Sequence, residues 1–184
     1  MSTALAPKTS ATQTGQWYEA HDYRAHGEIA DFVVLMTYEW GYSGGPPMAV
    51  SPIGPVRDVI EYALTEIPAS KIMMGQNLYG YDWTLPFVPG GEYARAISPQ
   101  QAIQLAADHN VAISYDTKVQ APHFTYRDND GNEHEVWFED ARSMQAKFDL
   151  VKELGLRGVS YWKLGISLPQ NWLLIEDNFD VVKS

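Results

Sequence analysis

Three side chains with chemical capacity stand together at the end of an apolar run. Phe32-Val33-Val34-Leu35-Met36 is continuous and apolar, and Thr37-Tyr38-Glu39-Trp40 follows it directly. An uninterrupted apolar run of this length reads as a strand buried on both faces, as in a parallel sheet. A phenol, a carboxylate and an indole where such a strand ends are what a barrel enzyme presents at its rim. The phenol can donate a hydrogen bond, the carboxylate can accept one, and the indole joins an apolar face to a polar edge. A persisting pleat would send Tyr38 and Glu39 to opposite sides of the strand. The chain holds six Trp and eleven Tyr. These serve either as large core side chains or as platforms for the flat apolar faces of sugar rings.

The elements that must position these groups follow from the pattern of apolar residues. Thr3 to Ala6 suits a short strand stopped by Pro7, and Lys8 to Gly15 a polar loop. Tyr18 to Ala30 is weakly helical, with Gly27 interrupting it. The strand Asp31 to Tyr38 leads into the Gly/Ser/Pro loop Gly41 to Pro47. Val56, Ile60, Ala63, Leu64 and Ile67 recur at helical spacing within Ile53 to Ile67, and Pro68 stops the helix. Lys71 to Gly75 is the next strand and continues through Gln76-Asn77-Leu78-Tyr79-Gly80-Tyr81-Asp82-Trp83, completing a βαβ unit.

The pattern then changes. Ser98 caps a helix that has Pro99 at its first position, and Val111 to Tyr115 reads as a strand. His123 to Arg127 and His134 to Phe138 alternate at period two around the turn sequence Asp128-Asn129-Asp130-Gly131-Asn132. Asp140 to Leu154 resumes helical spacing and ends at Gly155, a suitable C-cap. Arg157 to Trp162 is another buried strand with aromatic residues at its end, and Gln170 to Val182 is a last amphipathic segment.

Composition removes several classes of function. A net charge of −10 opposes nucleic acid, which requires a basic footprint, but not a neutral polymer such as a glycan. Cysteine is absent, so disulfides and thiolate metal sites are excluded. His21, His26, His109, His123 and His134 have no metal-ligand spacing, and no glycine-rich phosphate loop occurs, so neither metal nor cofactor is expected. No apolar run is long enough to cross a bilayer. The first residues lack the basic start and apolar stretch of a signal peptide.

Several segments together carry a resemblance over nearly the whole chain. They are Ala4 to Ala11, Phe32 to Glu39 with Gly44-Gly45-Pro46-Pro47-Met48-Ala49, Lys71 to Gly75 with Leu78 to Trp83, Glu135 to Ala141, and Gly158 to Trp162. The sequence resembles glycoside hydrolase family 18, the chitinase-like enzymes, in its spore-cortex-lytic N-acetylglucosaminidase branch. The resemblance implies an N-acetylglucosamine-containing glycan as partner and a place in the spore cortex or coat. It also implies a substrate-assisted reaction in which the sugar's own acetamide attacks the anomeric carbon. The protein then supplies a carboxylic acid, a clamp for the acetamide and a floor for the distorted sugar.

Carried over residue by residue, Tyr38 matches the acetamide clamp and Met36 stands beside it in the motif. Glu39 matches a contact to sugar hydroxyls, and Trp162 the floor of the subsite. Asn77 and Tyr79 are expected at the rim, where they could bind hydroxyls. Trp40, Trp83 and Tyr161 are weaker candidates, and Trp137 is either core or groove wall. The family's Asp-x-x-Asp-x-Glu acid motif is missing. The near match Asp130-x-x-Glu133-x-Glu135 begins in a hairpin turn and reads as solvated.

The expected architecture is α/β: half of a (β/α)8 TIM barrel, strands five to eight, with a small α+β insertion between the last two strands. The expected divisions are residues 1–83 for barrel strands five to seven, 84–138 for the insertion, and 139–184 for the last helix and strand with the C-terminal helix. Four barrel strands leave two open edges. A second copy or a complementing N-terminal half could cover them, and the start near the inferred fifth strand suits a truncation. Without the acid, the chain is expected to be inactive alone; a non-catalytic glycan-binding module is the other reading.

Overall fold

The computed structural model describes residues 1–166 and 168–182. The chain runs through β1 (Ser2–Leu5), α1 (Tyr23–Ile29), β2 (Phe32–Leu35), α2 (Ile53–Glu66) and β3 (Ile72–Asn77). It continues with β4 (Gly80–Leu85), β5 (Arg95–Ile97), α3 (Pro99–Asp108), β6 (Ser114–Asp116), β7 (Ala121–Arg127) and β8 (Glu133–Trp137). α4 (Ala141–Glu153), β9 (Gly158–Trp162) and α5 (Pro169–Asn178) follow. Among the described residues no helix is long and apolar enough to cross a membrane.

The strands form two sheets. One is four-stranded and parallel, in the order β1-β2-β3-β9. The other is five-stranded and antiparallel, in the order β5-β4-β8-β7-β6, and all its strands fall in sequence between β3 and β9. The helices on the parallel sheet explain its apolar strands. Val33, Leu35, Ile72 and Met74 pack against Val56, Val59, Ile60 and Ala63 of α2 and against Leu150 and Val151 of α4 in one cluster. The alternate residues Phe32, Val34, Met36 and Met73 remain only partly covered. A parallel strand is ordinarily covered on both faces, so this half-open face is the fold's main departure from that rule.

Local chemistry sets the helix ends. Ser98 and Gln101 form a reciprocal capping box at α3, with Pro99 in the first turn, as the sequence predicts. Asp140 and Ser143 do the same for α4, and Gly155 follows with φ 61°. The weak helix predicted from Tyr18 starts only at Tyr23, because Asp22 takes the cap and accepts from the Ala25 amide at 3.0 Å. Residues before it turn through Tyr18 N to Gly15 O and His21 N to Tyr18 O. The last helix spans Pro169–Asn178 rather than Gln170 to Val182. The Asn178 side chain ties its end to Gln145 of α4.

Two expectations are corrected. The strand read at Val111 to Tyr115 lies at Ser114–Asp116. Val111 instead closes the end of α3, its amide donating to Ala106 O at 2.9 Å, and Val111 and Ile113 pack on the insertion core. The run Lys71 to Trp83 is not one strand. The chain leaves the parallel sheet after Asn77, and Gly80–Leu85 pairs antiparallel with β8. The change of sheet falls at Gly80. Glycine is required there, because a Cβ on Gly80 would lie 2.3 Å from Trp137 O.

Candidate active site

β2, β3 and β9 run parallel, so their C-terminal ends gather on one side of the sheet. Facing them are β4, β5 and the start of α3. Between lies an open cleft of ≈ 960 Å³. Tyr38 and Glu39 follow β2 into it, Tyr79 and Tyr81 enter around the sheet change, and Trp162 closes β9. The end of a parallel sheet is where α/β proteins place ligands.

Tyr38 reaches its position over Gly75: a Cβ there would lie 3.1 Å from Tyr38 Cε1 and 2.4 Å from Leu35 O. Glu39 adopts φ 72°, a left-handed conformation that disfavours any side chain but glycine's hydrogen. This breaks the pleat. Tyr38 and Glu39 line the same cleft instead of opposite faces. The strain is held in place by two phenols at the sheet change: the Tyr79 hydroxyl donates to Glu39 Oε1, and the Tyr81 hydroxyl donates to the same oxygen at 3.0 Å. Glu39 Oε2 has no protein partner among the described residues. Trp162 is 55% exposed, so one face of its indole is available for stacking.

Burial pushes the phenols up. Tyr38 is raised by desolvation and then by the charge on Glu39. Tyr79 is raised strongly by burial and by its bond to Glu39, and Tyr81 by burial and by the Glu39 charge. All three are therefore protonated donors at neutral pH. The consequence for stability has a definite sign. Below the ordinary phenol value of 10.0 folded and unfolded chains hold the same protons. Above it the unfolded chain releases them first, so stability falls as pH rises. Thermal unfolding followed from pH 8 to 11 should show this fall begin near pH 10, and Tyr79→Phe should make it shallower.

The structure thus brings together Tyr38, Glu39, Tyr79 and Trp162. Met36 does not line the cleft; it lies half-buried on the open face of the parallel sheet. The rim position expected of Asn77 is not where the structure puts it. Asn77 is the last residue of β3, fully buried, and its amide donates to Tyr79 O at 2.7 Å. Its work is to hold the turn that delivers Tyr79.

Trp83 is a core residue whose Nε1 donates to Gly45 O at 2.8 Å. Trp137 also belongs to the core, packed with Tyr79, Tyr81 and Trp83 and stacked on His123 at 4.4 Å. Tyr161 donates to Asn171 Oδ1 at 3.0 Å, and Trp40 packs against the parallel-sheet core. Asp130, Glu133 and Glu135 stay on the hairpin: Glu133 pairs with Arg127 and Glu135 accepts from Trp137 Nε1.

Sequence reasoning missed Tyr81, the start of α3 at Gln100 and Gln101, and the segment from Lys163 as cleft walls. The signal for Tyr81 was present. Tyr79, Tyr81 and Trp83 recur at period two, the mark of one strand face.

The pattern of the Glycosyl hydrolases family 18 matches residues 2–166, and the chain belongs to that family. It is 76% identical over 183 residues to the cortical fragment-lytic enzyme of Bacillus subtilis, a match spanning 100% of this chain and 42% of that protein. The crystal structure of the Bacillus megaterium spore cortex-lytic enzyme SleL superposes with a TM-score of 0.96 at 73% identity, covering 100% of this chain and 42% of the other. A chitinase from Chromobacterium violaceum superposes at 0.88 with 28% identity, over 96% of this chain and 54% of that one. The chain thus spans less than half the length of its cortex-lytic relatives. Its α/β fold of mixed parallel and antiparallel sheets is shared with chitinase-like structures.

Proposed function

We propose that this chain is the sugar-gripping half of a family 18 catalytic domain, acting on N-acetylglucosamine-containing glycan of the spore cortex. The observation that carries this reading is the convergence of Tyr38, Glu39 and Trp162 on one cleft at the ends of parallel strands. Tyr38 clamps the acetamide, Glu39 accepts from sugar hydroxyls through Oε2, and Trp162 is the floor. The strands β1, β2, β3 and β9 take the places of barrel strands five to eight, with residues 84–138 as the bulk of the insertion. Two facts support this: the parallel sheet is open at both ends of its strand order, and the chain matches 42% of its relatives' length.

In this role the chain binds and orients the sugar, and a complementing N-terminal half brings the carboxylic acid and covers Phe32, Val34, Met36 and Met73. Closure by a second copy of the chain is the competing arrangement. Sedimentation at micromolar concentration separates them, since closure by a second copy requires a homodimer.

Binding tests the reading directly. Calorimetric titration with N-acetylglucosamine oligomers should show saturable binding by the chain. Trp162→Ala should weaken it about tenfold, the loss expected for one aromatic stacking surface. Absence of binding to every oligomer would refute it.

A further inference from the structure

The Tyr38 hydroxyl has no protein partner among the described residues, so the aim of the phenol must come from the base of the side chain. The ladder that pairs β2 with β3 stops at Leu35 and Met74. Beyond it the backbone makes two tight turns: Thr37 N donates to Leu35 O and Tyr38 N to Met36 O, both at 2.9 Å. Two side-chain hydroxyls take over where the ladder ends. Thr37 Oγ1 donates to Gly75 O at 2.7 Å, and Ser51 Oγ donates to Thr37 O at 2.6 Å. Thr37 and Ser51 are both fully buried. We infer that these two hydroxyls are positioning groups for the Tyr38 phenol, and that the cleft's preference for an acetamido sugar depends on them. This rests on the glycan reading above and extends it to residues that touch no sugar.

Both anchors act on the residue immediately before Tyr38. Gly75 receives one of them, its carbonyl accepting from Thr37. Its missing Cβ also leaves room for the Tyr38 ring, whose Cε1 would lie 3.1 Å from a Cβ built there. One residue of β3 therefore fixes the base of Tyr38 and supports its ring. Ser51 is carried back to Thr37 by the loop after Glu39. Trp40 N donates to Val50 O and Gly41 N to Ala49 O, both at 3.0 Å, so that loop closes on itself. Ser51 then precedes Pro52, the cap residue of α2. Ile53 N donates at 3.0 Å to Val119 O, in the loop between β6 and β7. The hydroxyl that holds Thr37 is thus held in turn by a helix of the parallel sheet and by a loop of the antiparallel one.

The neighbouring carboxylate is fixed independently. Glu39 is gripped by the Tyr79 and Tyr81 hydroxyls, neither of which depends on Thr37 or Ser51. Loss of a buried hydroxyl therefore moves the phenol and leaves the contacts of Glu39 to sugar hydroxyls in place. The acetamide contact alone suffers. Bulk water does not reach either hydroxyl, so nothing replaces the bond that a truncation removes. A positioned group is held to its geometry by the hydrogen bonds behind it, and an error of about 1 Å is enough to lose the contact.

The test measures affinity for two neutral trisaccharides by calorimetry: tri-N-acetylglucosamine, and cellotriose, which carries a hydroxyl in place of each acetamide. The wild-type chain should prefer the first about tenfold, the size of one net hydrogen bond, and Tyr38→Phe should erase that preference. Thr37→Val and Ser51→Ala should erase it too, with cellotriose affinity changed by about twofold at most. Thr37→Ser, which keeps the hydroxyl, should retain it. Circular dichroism checks the fold of each variant, and Ser51→Ala carries the comparison if Thr37→Val does not fold. A preference undiminished in the Val or Ala variant overturns the inference. So does equal weakening toward both probes, the mark of hydroxyls that only stabilise the fold, and so does its loss in Thr37→Ser. A wild-type chain that binds neither probe, or both alike, overturns the reading of the cleft itself.

Discussion

Supplied with a segment that brings an Asp-x-x-Asp-x-Glu strand, the chain should turn over a chromogenic N-acetylglucosaminide, and Tyr38→Phe should then lower kcat about 10²–10³-fold with little change in KM. The size follows from losing the group that aims the acetamide at the anomeric carbon, where a small misplacement costs about 10²-fold. The Tyr38 hydroxyl has no protein partner among the described residues, whereas Tyr79 and Tyr81 are both committed to Glu39. Burial and the neighbouring carboxylate keep the Tyr38 phenol protonated, so it can donate to an acetamide oxygen as that oxygen becomes nucleophilic. Loss of that aim slows the chemical step while the sugar's other contacts remain, so kcat falls and KM changes little. The chain alone is expected to release no measurable sugar, because a general acid contributes ~10²–10⁴-fold and its sequence holds no Asp-x-x-Asp-x-Glu motif. Robust turnover by the isolated chain, or a Tyr38→Phe enzyme with unchanged kcat, contradicts this assignment.

The second large effect is on stability. Lys147 of α4 donates to Glu139 Oε2 at 2.8 Å, and both side chains are 1% exposed. Glu139 stands between β8 and α4, so the pair joins the exit of the antiparallel sheet to a helix of the parallel one. Replacing Lys147 by Met leaves a buried carboxylate without its counter-charge, which costs about 3–5 kcal/mol. For a chain of this size that lowers Tm by roughly 10 °C or more. The double variant Lys147→Met with Glu139→Leu removes both charges and should regain most of the loss, since an apolar pair of similar volume is often as stable as the ion pair. Scanning calorimetry of the single and double variants measures both. A single variant within about 1 kcal/mol of the parent would show that water reaches the pair.

The fold's parallel part was legible because its signals are local. Phe32 to Met36 is apolar without interruption, α2 carries its apolar residues at helical spacing, and Ser98, Asp140 and Gly155 mark helix ends by their own backbone chemistry. The paired strands around Asp128 to Asn132 announce a hairpin in the same way. The sheet change at Gly80 was not legible. The sequence from Ile72 to Trp83 reads as one strand, and only the close approach of Trp137 and Phe138 explains why glycine ends it. Val111 misled for a related reason: an apolar residue after a helix can close that helix as readily as begin a strand.

For the site, sequence alone determined which chemical groups are present: a phenol and a carboxylate at the end of a buried strand, an indole at the end of another, and no Asp-x-x-Asp-x-Glu motif. These depend on residue type and near neighbours, which the sequence states outright. Tertiary structure decided where each group points. It turned Glu39 into the cleft through φ 72° and two phenols at the change of sheet. It buried Asn77 behind the rim and brought Tyr81 and the start of α3 to the opposite wall. Those outcomes depend on contacts between residues some 40 positions apart in the case of Glu39 and its phenols, and chain periodicity carries no information about such contacts until packing closes the loop between them.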